Sequence, residues 1–315
     1  MGFESLLGNA RLKENLQRSI RSGRTSHFYL ISGPAGSGKR TLARLLAAAL
    51  QCQGAQKPCL GCTACRKVMA DTHPDYITVT DPEHKNVAVR IVRAIRDDMF
   101  IRPNEGQKKI YLFPQEMGVE GQNALLKVLE EPPSYGVFIL LSENPEQLLP
   151  TVRSRAVELS LGSLSRAELL PALKKAYPDA GEEALEGAVF RSGGYLGQAL
   201  QLLQEGGSLP PQTEAFANCF ARKDVLELVQ LLASMEKWKR DTLLPQLSQW
   251  SALLQQALLC HSGMPAATPL ARQLAAARSP LDLNRAIASL SKADEYLRGN
   301  VSPGAVCGWL SWELR

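Results

Sequence analysis

Along the first half of the chain, apolar positions gather in short blocks separated by longer amphipathic stretches. "HFYLIS" (27–32), "YITVT" (76–80), "KKIYLF" (108–113), "VFILLS" (137–142) and "AVELSL" (156–161) predict strands. Between them the apolar residues recur at helical spacing near 39–51, 87–100, 119–131 and 145–154. Strands alternating with helices predict an α/β domain built on a mostly parallel sheet covered on both faces. In "NALLKVLEEPP", Ala124, Leu125, Val128 and Leu129 make a core-facing stripe, and Pro132 and Pro133 stop the helix. Lys127 projects away from that stripe, toward solvent or toward DNA or a neighbour.

After "LGSLSRAELL" the strands cease. Residues 163–205 predict a small helical unit broken at "RSGGYLGQAL", and the turn-rich "EGGSLPPQ" (205–212) predicts a linker. The remainder is helical in pattern, with polar breaks at "HSGMPAATP" and "GNVSPG", and no internal repeat is visible. The expected division is 1–162, 163–207 and 208–315.

Composition adds bounds rather than identity. At 315 residues the chain is long enough for two or three cores, and 45% hydrophobic with 21% charged residues excludes a disordered polypeptide. A net charge of +5 permits a nucleic-acid or acidic partner without requiring one. "MGFESLLGNARLKENL" is amphipathic and charged, unlike a signal peptide, and no apolar run is long enough to span a bilayer. The expected setting is a reducing cytoplasm, without a membrane partner, so the seven cysteines are not taken for disulfides.

Within "SGPAGSGKRTLARLL", Gly33, Gly38 and Lys39 satisfy the spacing of a phosphate-binding loop between a strand and a helix. Its candidate phosphate contacts are Gly33, Gly36, Gly38, Lys39, Arg40 and Thr41. Glycines let backbone amides turn toward phosphate oxygens, the helix N-terminus adds partial positive charge, and Lys39 offers a cation. A purely structural glycine turn is the alternative. The residue after the lysine normally supplies a hydroxyl to Mg²⁺, and here it is Arg40. Thr41 carries a hydroxyl, but one helical residue further on it is rotated by about 100°. The acidic pair expected at a later strand end is also missing, because "KKIYLF" runs into Pro114-Gln115. Glu116 is the nearest acid, and an ordinary solvated glutamate is its simpler interpretation.

Cys52, Cys59, Cys62 and Cys65 fall within fourteen residues, with two C-x-x-C steps, and Gly54, Pro58 and Gly61 supply tight turns between them. This spacing predicts a structural, four-thiolate zinc site with no open position for substrate. Four free cysteines and an iron–sulfur cluster are the alternatives; the absence of a following Cys-Pro argues against the cluster. Cys219, Cys260 and Cys307 lie on apolar helical faces and are expected in the core.

"GQNALLKVLEEPPSYGVFILLSENPEQLLPTVRSRA" resembles the segment shared by bacterial DNA polymerase III clamp-loader subunits of the AAA+ class. "LLGNARLKENLQRSIRSGRTSHFYLISGPAGSGK", the four-cysteine insertion and "HPDYITV" are similar too, so the resemblance covers residues 3–200, with a weaker echo in "LSKADEYLRGNVSPG". It implies an α/β P-loop (AAA+) domain, a small helical lid and an all-α C-terminal collar domain. Motor subunits of that family keep the loop hydroxyl, the acidic pair and a lid arginine near the position of Leu196. This chain departs at all three places and resembles the delta-prime branch, the largely rigid member that closes one end of a five-subunit ring.

The resemblance implies gamma/tau-type motor and delta subunits as partners, with primed DNA and the sliding clamp met through the complex. It also gives a role to Arg155. Ser154-Arg155-Ala156 matches the family's Ser-Arg-Cys segment, whose arginine reaches the ATP of a neighbouring motor, and a planar, permanently charged guanidinium suits a polyphosphate. Taken alone, "RSR" is a solvated basic patch. The implied role is support of ATP-driven clamp loading without intrinsic hydrolysis, with ATP or ADP at its own loop left open. The rival expectations are an ATP-hydrolysing motor subunit and a regulatory nucleotide-binding protein outside the clamp loader.

Overall fold

The computed structural model describes residues 2–204, 210–263 and 268–315. Its described part divides into two compact units, Met1–Leu169 with Gly194–Gln198, and Leu170–Gly193 with Ala199–Arg315. The tripartite division at 162/163 and 207/208 stays a proposal.

The first unit is an α/β P-loop domain. Five strands, β1 (Phe28–Ser32), β2 (Tyr76–Thr78), β3 (Lys109–Phe113), β4 (Gly136–Ser142) and β5 (Val157–Ser160), form one parallel sheet in the order β2-β3-β4-β1-β5. The side-chain period of two divides the central strands between two cores. Tyr29 and Ile31, Ile110 and Leu112, and Val137, Ile139 and Leu141 face one side, packed with α1 (Ala10–Arg21), α2 (Lys39–Gln51) and α3 (Thr63–Met69). Phe28 and Leu30, Tyr111 and Phe113, and Phe138 and Leu140 face the other, under α4 (Val89–Asp98), α5 (Val119–Glu130) and α6 (Pro150–Arg153). Burial on both faces explains why these strands are continuously apolar rather than alternating.

Helix α2 is almost wholly buried from Leu42 to Gln51, and its alanines let the sheet and α3 approach closely. Helix α5 buries Leu125, Val128 and Leu129 as the spacing predicts, with Ala124 half-buried and Lys127 exposed. The helix expected over 145–154 is instead a 3₁₀ turn, Pro145–Gln147, followed by the four-residue α6. Pro145 and Pro150 each start a new turn, because a proline nitrogen has no hydrogen to continue the helical ladder.

The helical pattern continues through α7 (Arg166–Ala176), α8 (Glu182–Arg191) and α9 (Leu196–Gln204); α8 lies in the second unit, α7 straddles the boundary, and the first turn of α9, Leu196–Gln198, belongs to the first unit. It then runs through α10 (Pro211–Arg222), α11 (Val225–Met235), α12 (Arg240–His261), α13 (Pro269–Ala277), α14 (Pro280–Arg298) and α15 (Pro303–Glu313). Three starts share one device: Thr268, Ser279 and Ser302 cap the helix with a side-chain oxygen, and the next residue is a proline at the first helical position. Trp250 stacks on Phe216 with ring centroids 4.2 Å apart at the centre of this core. Cys219 and Cys307 are buried as expected, and Cys260 is half-buried. Of the predicted linker, 205–209 lies outside the described residues, whereas Pro211 and Gln212 already belong to α10. The predicted break at 261–269 likewise has 264–267 outside the described residues. Among the described residues no helix is long and apolar enough to cross a membrane.

Candidate functional site

The phosphate loop leaves the carboxyl end of β1, where Gly33 N–H donates to Ser142 O on β4. Gly33, Gly36 and Gly38 all take positive φ, which side-chain-bearing residues rarely adopt. At Gly36 there is also no room, since a Cβ would stand 2.5 Å from the Gln198 nitrogen. Helix α2 starts at Gly38 without a side-chain cap, so its first amides remain turned toward the loop. The frame of an anion cradle is therefore built.

Its occupants are arranged differently from an open site. The Lys39 ammonium donates to the carbonyls of Gly33 at 2.6 Å and Pro34 at 2.9 Å, and lies 3.7 Å from the Glu143 carboxylate. Burial pulls its pKa below that of an ordinary lysine, against the opposing pull of Glu143. The start of α9 covers the loop: Gly197 N–H donates to Gly36 O at 2.9 Å, and the Gln198 amide donates to Ala35 O at 2.9 Å. Arg40 and Thr41 are both exposed, on the first turn of α2.

At the end of β3, Gln115 acts as a hub for the preceding loop. Its oxygen accepts from Asp81 N–H at 2.9 Å, and its NH₂ donates to Asp81 O, Lys85 O and, at closer range, His84 O. An amide committed in this way holds backbone and activates no water. Gln115, Glu116, Gln122 and Ser142 line a cavity of about 190 Å³ between the ends of β3 and β4. Sequence reasoning noted Gln115 only as standing where an acid is missing, and did not single out Glu143. The only trace of Glu143 was its place directly after the strand beside β1.

Cys52 ends α2, Cys62 caps α3, and Cys65 lies in the first turn of α3 with its side chain buried. The four sulfurs lie within 4.8 Å of one another, and Cys59 and Cys65 are 4.0 Å apart. Zinc–sulfur bonds of about 2.3 Å place the sulfurs of a tetrahedron about 3.8 Å apart. The amides of Gly54 and Cys59 donate to Cys52 Sγ, that of Cys62 to Cys59 Sγ, and that of Cys65 to Cys62 Sγ, all at 3.3–3.4 Å. Such donors favour thiolates. They outweigh burial at Cys62, whose pKa falls to about 6, and they lower Cys59; burial raises Cys52 and Cys65. This donor set fits a structural zinc ion.

Arg155 stands apart from both sites. It occupies the turn between α6 and β5, two residues before Val157, which pairs with Tyr29. Arg155 is therefore level with residue 27, whereas the phosphate loop begins at residue 33 on the same strand pair. At about 3.3 Å per residue the two lie roughly 20 Å apart, at opposite ends of a parallel sheet. The Arg155 guanidinium is half-buried, donating through Nη1 to Thr151 O and through Nη2 to Glu130 Oε1, each at 2.6 Å. Arg153 is taken up separately by Glu146 and Glu158.

Comparison with known proteins places these features in a family. The family described as "DNA polymerase III, delta subunit" matches residues 8–165. DNA polymerase III subunit delta' of Pseudomonas aeruginosa is 42% identical over 176 residues, 54% of this chain and 53% of that protein. DNA polymerase III subunit gamma of Buchnera aphidicola subsp. Schizaphis graminum is 31% identical over 210 residues, covering 64% and 57%. Subunit delta' of Bacillus subtilis is 33% identical over 152 residues, covering 47% and 46%. The chain spans about half the length of the curated relatives it matches. The matched segment is half of the chain and includes all five strands, the phosphate loop, the four cysteines and Arg155: the chain belongs to the DNA polymerase III, delta subunit family, and is delta-prime-like within it.

Proposed function

We propose that this chain is a subunit of a DNA polymerase III clamp loader that supports ATP-driven loading of the sliding clamp on primed DNA. Its partners are gamma/tau-type motor subunits, the class to which two of its relatives belong, and a delta subunit. Primed DNA and the clamp are met through that complex, in the cytoplasm. In this role the chain hydrolyses no ATP itself and supplies Arg155 to the nucleotide of the neighbouring motor.

The observation that carries the role is the roughly 20 Å between Arg155 and the chain's own phosphate loop, inferred from the strand register. An arginine at the amino edge of the sheet has no reach to a phosphate at the carboxyl edge of the same domain. It is available to a phosphate brought by another subunit, where a forked cation stabilises charge developing in the transition state. Two features support the lack of turnover: Gln115 is committed to backbone where an acidic pair would stand, and the loop tip is hydrogen-bonded to α9. If the loop does take ATP or ADP, Gly33, Gly36, Gly38, Lys39, Arg40 and Thr41 are the contacts. Zinc at Cys52, Cys59, Cys62 and Cys65 joins the end of α2 to α3 and takes no part in the chemistry.

The purified chain alone is expected to show no ATP turnover above background, and to co-purify with cognate motor and delta subunits. Mg²⁺-dependent turnover by the isolated chain that vanishes in Lys39→Ala would establish an autonomous motor instead. Failure to associate with either subunit would favour a regulatory protein outside the clamp loader.

A further inference from the structure

We infer that Glu130 is a positioning residue for Arg155: its carboxylate fixes the guanidinium fork in the attitude that a neighbour's phosphate meets. The inference rests on the role proposed for Arg155. Its basis is the way two separate elements converge on one side chain.

Helix α5 runs from Val119, beside the phosphate-loop edge of the sheet, to Glu130 at the opposite edge. Its last turn is fixed there, because the His27 ring bonds Leu129 O at 3.0 Å just before β1 begins. The next residue, Glu130, presents Oε1 to Arg155 Nη2 at 2.6 Å. From the other side, α6 presents Thr151 O to Nη1 at 2.6 Å. An isolated arginine side chain explores many rotamers; here both ends of the planar fork are held by groups on different helices. A guanidinium has five N–H donors, and these two contacts use two of them, leaving others for a phosphate.

Fold stability does not require the pair. Glu130 and Arg155 keep 52% and 34% of their side-chain surface exposed, and ion pairs at such sites contribute little to stability. Arg153, two residues away, is satisfied by Glu146 and Glu158 and does not draw on Glu130. The value of the contact lies in geometry: a group pre-set within a fraction of an ångström loses less freedom on reaching its target.

The test uses the reconstituted complex, with this chain as wild type, Arg155→Ala, Glu130→Gln, Glu131→Gln or the Arg155→Ala/Glu130→Gln double variant. Steady-state ATP turnover is measured in the presence of primed DNA and clamp. Arg155→Ala defines the share of turnover that Arg155 supplies. Glu130→Gln is expected to cut that share about threefold through kcat, the size of effect an exposed charge pair can exert, with KM for ATP changed by less than about twofold. Glu131→Gln removes the same charge one residue away and should match wild type. The double variant should equal Arg155→Ala alone, because Glu130 acts only through Arg155. Wild-type turnover in Glu130→Gln, equal losses in Glu130→Gln and Glu131→Gln, or a double variant whose losses multiply would overturn the inference. So would failure of Glu130→Gln to assemble, which would make the contact structural. A harmless Arg155→Ala would overturn the proposed role of Arg155 itself, and is read from a separate arm.

Discussion

Untagged protein should carry one zinc ion per chain, and Cys65→Ser should abolish that stoichiometry and lower the unfolding free energy of the first unit by more than about 4 kcal/mol. The size of the effect follows from how little else holds the segment between α2 and α3. Of its residues, Cys52, Cys65 and Val68 reach the main core, with Leu60 and Cys62 packed only partly against it. Closing a four-thiolate shell is what gives such a loop a single conformation, so binding energy becomes folding energy. Two pKa directions set the pH dependence. Amide donors lower Cys59 and bring Cys62 down to about 6, so the Cys62 thiolate is available near neutrality, whereas burial raises Cys52 and Cys65 and makes the metal displace their protons. Zinc is therefore expected to be released as pH falls, with stability falling alongside. Cys260→Ser, outside the module, should leave zinc content unchanged. Elemental analysis joined to calorimetry checks the prediction. Protein free of zinc, or containing iron with sulfide, would contradict it.

The order of elements was legible because it rests on local chemistry. Each predicted strand begins and ends within two residues of its observed bounds; in β1, β3 and β4 the run is buried throughout, on both faces, and has no competing pattern. The cysteines were legible for a similar reason: ligand spacing within one short loop is a local property. Glu130, Glu143 and Gln198 were not. Each acts on a residue far from it in sequence, and an exposed glutamate near a helix end looks the same whether it meets water or a guanidinium. Asp75 shows the limit well. It is fully buried between α3 and β2, and its carboxylate accepts from the backbone amides of Asn104, Glu105 and Gly106. Nothing in "HPDYITV" announces that loop as its partner. The splitting of the predicted 145–154 helix was readable from Pro145 and Pro150, and the apolar spacing concealed it.

Arg155→Ala should leave folding and assembly nearly intact and lower DNA- and clamp-stimulated ATP hydrolysis by the complex. Its side chain is half-buried at a turn and joins two exposed partners, so its removal opens no cavity in either core of the first unit. At the one site it serves, the loss is expected to reach on the order of 10³-fold, the lower range for an arginine supplied in trans. For the whole complex the loss is partial, because motor subunits also serve one another, and clamp loading should fall in step. Arg155→Lys should recover little. A lysine carries the charge but not the planar fork, and it cannot donate to Thr151 O and Glu130 in the same geometry.

The central claim is that this chain serves a neighbour's nucleotide rather than its own, and one measurement addresses it directly. Complexes are assembled with Arg155→Ala or with Lys39→Ala in this chain alone, and their stimulated ATP turnover is compared under identical conditions. The expected result is a clear loss with Arg155→Ala beside near wild-type turnover with Lys39→Ala, whose ammonium is bound to the carbonyls of its own loop. A crippling Lys39→Ala beside a harmless Arg155→Ala would contradict the claim and identify the chain as a motor.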